Sequence, residues 1–396
     1  MKFLYHHRTL GRGGEGVHIA SLVRALETLG HTTRVASPSG VDPLQMAGAS
    51  PVDKGQAQVR GITRIWKFVS CWVPDIFFEI LEIGYNVVVL IRLGPILKRR
   101  SQDVYYERYA FFMFMGVYLA KYLGWPVLLE VNEVVGVQRA RNQVLVPVSQ
   151  WFERLVFQKA DVIFTVSSFL KEEVLKRGGK PGRVHVIPNA VDAQVIESIE
   201  TGAQIRKRYR FDRHIVVGFA GWFDTWDRLD LLIDAVEEVH KKYPHVRLML
   251  VGSGPVADLL TEQIRRSKLE EVVFLTGPVP RSQVLSYIAA MDICVLPDSN
   301  VFGSPIVLFE FMGMGKAVIA PDLLPIRDII EDGKDGLVVQ RGDSDSLGQA
   351  ISLLLRNSDL RIELGDRARQ KVLGQHTWHE NGKKVARFAS ALIDKS

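Results

Sequence analysis

Between Ile293 and Ala320 the chain runs from an apolar segment through a Gly-Ser-Pro loop into a helix-length apolar stretch and out into a second apolar segment. Ile293–Leu296 reads as a strand, 306–313 as a helix and 317–320 as the next buried strand. Pro305 fits the first helical turn, where its missing N–H leaves no donor unpaired. Gly303 and Ser304 just ahead of it, with Ile306 opening the helix, leave backbone N–H groups at a positive helix end, which holds a phosphate well. Glu310 follows some one and a half turns later. A carboxylate repels phosphate, but it suits the two vicinal hydroxyls of a ribose, at roughly 1.5–3 kcal/mol per hydrogen bond. Phosphate plus ribose is a nucleotide, and the rest of the chain is read against that expectation.

The same alternation opens the chain. A strand over 2–6, a glycine loop, a helix over 16–29 stopped by Gly30 and a strand over 32–36 make a βαβ unit. The loop Gly11-Arg12-Gly13-Gly14-Glu15-Gly16 satisfies G-x-G-x-x-G, so a nicotinamide-type dinucleotide site has to be weighed. That fingerprint needs an acid near the end of the second strand to hold a ribose, and here Val35-Ala36-Ser37-Pro38 leads to no acid before Asp42. Further strands are expected at 105–107, 126–131 and 158–166, with helices at 111–123 and, after Ser167, at 168–177. Asn132 and Glu133 then fall beyond the carboxyl end of a strand, where ligands of parallel sheets lie.

At 396 residues the chain is too long for one ordinary core and is expected to form two domains. The boundary is placed near 196, where charged residues replace the apolar rhythm. Strands at 215–219, 246–251 and 272–275 and a helix over 229–241 then restart the alternation through 375, and 376–396 is expected to close the chain with an amphipathic helix. The first 196 residues hold 24 Lys and Arg against 16 Asp and Glu, and the remainder 26 against 28. A basic first half fits an anionic membrane surface or a phosphorylated acceptor; no nucleic-acid module accompanies the charge.

Residues 66–100 are apolar and aromatic but interrupted by Asp75, Glu79 and Glu82 and closed by Lys98, Arg99 and Arg100. No uninterrupted run reaches the ~20 residues of a membrane-crossing helix. The segment reads either as buried helices or as a patch lying on a membrane. Cys71 and Cys294 sit in apolar runs, so disulfides are not expected, and the N-terminus enters a strand with no apolar signal segment, which suggests a cytoplasmic protein. Asp343-Ser344-Asp345 matches a metal-binding D-x-D, but its place at the start of a helix makes it a cap, and no metal site is expected.

The stretch from Leu296 to Pro321 resembles the nucleotide-sugar signature of the retaining glycosyltransferases of family 4, which have the GT-B fold. Many members carry two Glu with seven residues between them, then Ala-Met-Ala-x-Gly-x-Pro-Val-Ile-Ala. Here Glu310-Phe311-Met312-Gly313-Met314-Gly315-Lys316-Ala317-Val318-Ile319-Ala320 supplies the second Glu, while Phe302 occupies the place of the first. Pro188-Asn189-Ala190-Val191-Asp192 resembles the family's Pro-Asn-Gly-Val-Asp hinge, and Gly252-Ser253-Gly254-Pro255 its Gly-x-Gly-Pro turn. Residues 106–109 and 129–133 resemble the first domain of bacterial polysaccharide-assembling members.

The resemblance implies an α/β fold of two doubly wound Rossmann-like domains facing across a cleft, with a C-terminal helix crossing back to the first. It implies donor contacts at Gly13, Gly14, Gly221, Trp222, Gly252, Gly254, Pro255, Gly303, Ser304, Pro305, Ile306 and Glu310, and base-side contacts at Val279 and Arg281. Glu15, His18, Asn132 and Glu133 fall on the acceptor side; Glu15 reads equally well as a helix cap, and His18 as a surface helix residue. Family members usually clamp the diphosphate with an Arg and a Lys, but here Trp222 or Phe223 and Asp227 stand at those places, and Arg228 is the nearest basic residue. Gly14, Arg228 and Glu310 are therefore the candidates for the reacting centre. The implied activity is metal-independent, retaining transfer from a UDP- or GDP-linked sugar, a co-substrate rather than a cofactor, to a saccharide acceptor carried on a polyprenyl diphosphate, with peripheral contact to anionic membrane. An epimerase or hydrolase acting on the nucleotide sugar, a non-catalytic sugar-nucleotide binder and a nicotinamide-dependent oxidoreductase are the competing classes.

Overall fold

The computed structural model describes residues 1–9, 13–37, 43–46, 75–137, 143–199 and 201–394. Gly11, Asp42, Cys71 and the 66–74 part of the apolar segment lie outside them. The chain forms two compact units, one of residues 1–188 with 378–396, the other of residues 189–377.

In the first unit β1 (Lys2–His6), β2 (Thr32–Ala36), β3 (Val104–Arg108), β4 (Val127–Val131), β5 (Val162–Thr165) and β6 (Val184–Val186) form a parallel sheet in the order β2-β1-β3-β4-β5-β6. Helices cover both faces of such sheets, which is why the central strands read as continuous apolar runs; every residue of β4 is buried. The helix after β1 spans Gly14–Thr28, and Gly13 is its N-cap. Against it packs the closing helix Trp378–Ile393, so tightly that a Cβ on Gly382 would lie 3.1 Å from Ala25 Cβ and from Leu29 Cδ1.

Two sequence expectations are corrected here. The helix expected over 111–123 spans Met115–Tyr122. Phe112 adopts a left-handed φ of 60°, and Asn86 Oδ1 accepts the N–H groups of Phe114 and Met115, each at 3.0 Å. A side chain distant in sequence therefore sets the helix start. The strand expected over 158–166 is confined to β5, because Gln158 and Lys159 still belong to the helix Val146–Lys159, whose Phe152, Val156 and Phe157 are buried at helical spacing.

In the second unit β7 (Ile215–Trp222), β8 (Val246–Ser253), β9 (Val273–Leu275), β10 (Ile293–Val295), β11 (Ala317–Pro321) and β12 (Leu337–Val339) form a parallel sheet in the order β12-β11-β10-β7-β8-β9. This unit begins at Asn189, ahead of the expected division at 196, because Val191 and Ile196 are buried in its core. Its first strand, β7, lies in the middle of the sheet, with later strands added on both sides. The order of strands reverses there, and ligands of open α/β sheets bind outside the carboxyl ends of the strands at such a point.

Candidate functional site

The carboxyl edge of the second sheet is built from backbone. β7 and β8 pair in register to their last residues, Gly221 opposite Gly252 and Trp222 opposite Ser253, so these positions belong to the strands and not to the loops expected after 219 and 251. Gly252 has a φ of 135°, and a Cβ there would run into the carbonyl oxygen of Gly221. A Cβ on Gly254 would lie 2.6 Å from the amide nitrogen of Phe223. Only glycine lets these main chains approach so closely. Trp222 is exposed, Pro255 is exposed, and Val279 is half-buried against the core.

On the other side of the reversal the loop from β10 runs through Asp298 to Pro305 into the helix Ile306–Gly313. Pro305 is the N-cap of this helix and not part of its first turn, with φ −63° and ψ 118°. Gly303 N–H donates to Asn300 Oδ1 at 2.5 Å, so that amide does not face outward as expected. Ser304 is buried; its Oγ accepts the Asn189 N–H at 3.1 Å, and its carbonyl accepts from Asn189 Nδ2. This end has no side-chain cap. The outward donors are then the first helical amides, Ile306 and Val307, which have no partner within the helix.

Glu310 is 3% exposed, and its Oε1 accepts from a guanidinium nitrogen of Arg281, at the start of the helix Arg281–Ala289. Burial alone would weaken the charge on Arg281, but Glu310 beside it keeps the guanidinium above its ordinary value. The structure thus joins two residues that the sequence singled out separately. A buried carboxylate tied to an arginine whose side chain remains 45% exposed is a fixed acceptor with a cation at its rim.

Asp227 and Arg228 follow β7. Asp227 is buried, caps the turn by accepting the Asp224 N–H at 3.0 Å, and is pushed up to about 7 by burial, with Asp224 and Asp298 adding to the shift. Arg228, at a left-handed φ of 47°, spends its guanidinium on Asp230, from Nε at 3.0 Å and from Nη2 at 2.8 Å. That pair is exposed and contributes little by itself, so an incoming phosphate competes for the arginine at little penalty. Arg341, which sequence reasoning passed over, donates to both oxygens of buried Asp298 at 2.7 and 3.0 Å. Its position after β12 carries no local signal for this contact. Asp343 accepts the N–H groups of Asp345 and Ser346, so the D-x-D stretch is a helix cap.

In the first unit Gly13 and Gly14 are exposed, and Glu15 Oε1 accepts the Gly13 N–H at 3.3 Å, in keeping with the capping reading. His18 is not the surface residue the helix pattern allowed. It is 6% exposed, its Nε2 lies 3.1 Å from Glu130 Oε2, and its ring meets the edge of Trp378. Glu130 also accepts from Tyr5, Tyr106, Arg108 and Asn132. Burial would raise its carboxyl, but His18 and Arg108 beside it hold it well below the usual carboxylate range. Asn132 is thereby fixed at 2.6 Å from Glu130 Oε1. Glu153 accepts from Val135 N–H at 2.7 Å and Tyr109 Oη at 3.0 Å, securing the loop that carries Asn132 and Glu133.

Comparison with known proteins matches the two halves of the chain separately. Residues 12–195 match the family described as Glycosyltransferase Family 4, and residues 214–357 match that described as Glycosyl transferases group 1. Alpha-D-kanosaminyltransferase of Streptomyces kanamyceticus is 23% identical over 275 residues, 68% of this chain and 71% of that protein. The GDP-mannose-dependent alpha-(1-6)-phosphatidylinositol monomannoside mannosyltransferase of Mycobacterium tuberculosis is 25% identical over 251 residues, 62% of this chain and 65% of its own. Among solved structures, Anabaena HepE in complex with UDP superposes with a TM-score of 0.72 at 17% identity, covering 99% of this chain and 100% of that one. Sucrose-phosphate synthase from Thermosynechococcus elongatus gives 0.75 at 17% identity and covers both chains fully.

Proposed function

The chain belongs to the family 4 glycosyltransferases of GT-B fold, and from that premise we propose that it moves a sugar from a nucleoside-diphosphate donor to a lipid-linked saccharide with retention at the anomeric carbon. The observation that carries this reading is Glu310, buried on the helix that follows β10 and held by Arg281. Its second oxygen takes the ribose hydroxyls. The Ile306 and Val307 amides, with Arg228 and Arg281, meet the diphosphate, and the close-packed glycines Gly221, Gly252 and Gly254 let the donor lie against main chain. A UDP-bound structure of similar fold and a GDP-mannose-dependent relative support a nucleotide-linked donor.

In transfer, the bond from the anomeric carbon to the diphosphate oxygen breaks as the acceptor oxygen bonds on the same face. The acceptor proton passes to the departing phosphate. The protein contributes positioning and charge stabilisation rather than a base of its own. Asp227 does not oppose this while protonated, since a neutral carboxyl does not repel phosphate. In the first unit Gly13, Gly14, Glu15, Asn132 and Glu133 are assigned to the acceptor side, with His18 a positioning residue behind Glu130. A phosphatidylinositol-linked acceptor in one relative's name supports a lipid-linked acceptor here, which would bring the protein to a membrane surface.

Calorimetric titration with UDP- and GDP-sugars tests the donor, and an NMR reading of the product anomer, with and without chelator, tests retention and metal-independence. Binding of one nucleotide sugar, with transfer that keeps the donor's anomeric configuration, is expected. Turnover of donor with no acceptor present would favour a hydrolase or epimerase, and inverted product would overturn the retaining mechanism.

A further inference from the structure

The helix Asp75–Lys98 in the first unit buries Glu79, Asn86, Val89, Leu93 and Leu97 along one face. Its opposite face carries Phe77, Ile80, Leu81, Val87, Leu90 and Ile91, exposed by 45 to 67%, with exposed Arg92 at its margin. A helix at the surface of a soluble protein normally turns charge to that side. Six such side chains leave on the order of 500 Å² of apolar surface, at the upper end of what monomers expose. On the buried face Glu79 accepts the N–H groups of Val144 and Leu145 at 2.8 and 2.6 Å, which ties the helix to the residues that precede the helix Val146–Lys159.

The charge around this face has one sign where the helix ends. Lys98, Arg99 and Arg100 are exposed in succession. Of the three acids on the helix, Glu79 is buried, Glu82 is paired with Arg8 at 2.9 Å, and Asp75 stands half-buried at the end away from the basic cluster. Among the described residues no helix is long and apolar enough to cross a membrane. An apolar face of this length, closed by a basic cluster, fits a helix lying in the plane of a bilayer with cations on lipid phosphates.

We propose that this face is a docking surface for an anionic lipid bilayer, with the helix lying in the headgroup region and Lys98, Arg99 and Arg100 on the phosphates. The inference deepens the proposed function by giving its lipid-linked acceptor a surface to be met on. The two fail separately, because docking is measured without donor or acceptor.

The test is flotation of the full chain with vesicles of phosphatidylcholine alone and of phosphatidylcholine mixed with phosphatidylglycerol. Binding to the anionic vesicles is expected, at least about tenfold stronger than to the neutral ones. The double variant Ile80→Asp/Ile91→Asp is expected to lose it by tenfold or more with unchanged thermal stability. Lys98→Gln/Arg99→Gln, which leaves the apolar face intact, is expected to lose about tenfold on anionic vesicles only. No flotation, or flotation indifferent to both variants, overturns the proposal. So does a concentration-dependent dimer that Ile80→Asp/Ile91→Asp dissociates, which would make the face a contact between copies. A drop in melting temperature in that variant, with the glutamine variant still bound as wild type, would assign the face to another part of this chain.

Discussion

The two sheets share one plan, six parallel strands with helices on both sides, yet their carboxyl edges are filled in opposite ways. In the first unit the edge is a wall of polar side chains, most of them buried: Glu130 among Tyr5, His18, Tyr106, Arg108 and Asn132, and Glu107 against His6 and Tyr105. In the second it is largely backbone, Gly221 against Gly252 and Gly254 against Phe223, with the buried carboxylates Glu310 and Asp298 each held by a half-exposed arginine, Arg281 and Arg341. The topology alone therefore says where a ligand can lie but not how it is held. A wall of fixed side chains orients hydroxyls one at a time, whereas open main chain at a helix end accepts a phosphate.

The comparison breaks most visibly at Glu130. Glu130→Gln leaves Arg108 buried without its anion, so the first unit is expected to lose about 3–5 kcal/mol, with nucleotide-sugar affinity in the second unchanged; calorimetry of unfolding, paired with titration on the folded variant, checks both halves. Because the native Glu130 carboxyl is depressed, its contribution is present above the ordinary glutamate range and is lost as pH falls below it. Gly252→Ala tests the other edge. A side chain at φ 135° against the Gly221 carbonyl is expected to cost on the order of 3 kcal/mol in the second unit and to abolish donor binding. A variant that binds donor as wild type would show that this close approach serves packing alone.

Asn86→Ala removes the acceptor for two helix-start amides and two bonds to the carbonyls of Ile83 and Phe112. About 1–3 kcal/mol is expected, read as a lowered denaturation midpoint. The smallest effect is one of pH. Asp227 and Glu153 are both pushed up to about 7, chiefly by burial. Folded values above the unfolded ones mean that their contribution is whole below about pH 4 and is lost as pH rises to about 7. Melting temperature is expected to decline by a few degrees from pH 5 to pH 8, less steeply in Glu153→Gln. Donor affinity is expected to fall over the same range as Asp227 gains charge, and to stay level in Asp227→Asn.

What could be read from the sequence divides along the same line. The glycine turns, the Gly-Ser-Pro loop and the Ile306–Gly313 helix are local patterns, and the structure has them nearly where the residues placed them. The side-chain wall of the first unit is assembled from strands and helices far apart in the chain, so Glu130, Arg108 and His18 gave no joint signal, and His18 read equally as a surface helix residue or an acceptor contact. The helix start at Met115 was hidden for the same reason, since its cap comes from Asn86. Gly303 was misjudged at short range: its amide was expected to face a ligand, but Asn300 turns back to take it. Arg281 and Glu310 were each visible, and their pairing was not.

The central claim is that the Glu310 carboxylate holds the ribose of a nucleotide sugar at the edge of the second sheet. Titration of wild type and Glu310→Gln with the nucleotide sugar that binds tests it most directly. A loss of tenfold or more in affinity, with the melting temperature of the free protein little changed, is the predicted result, one charged hydrogen bond removed. Equal affinity in the two proteins would contradict it.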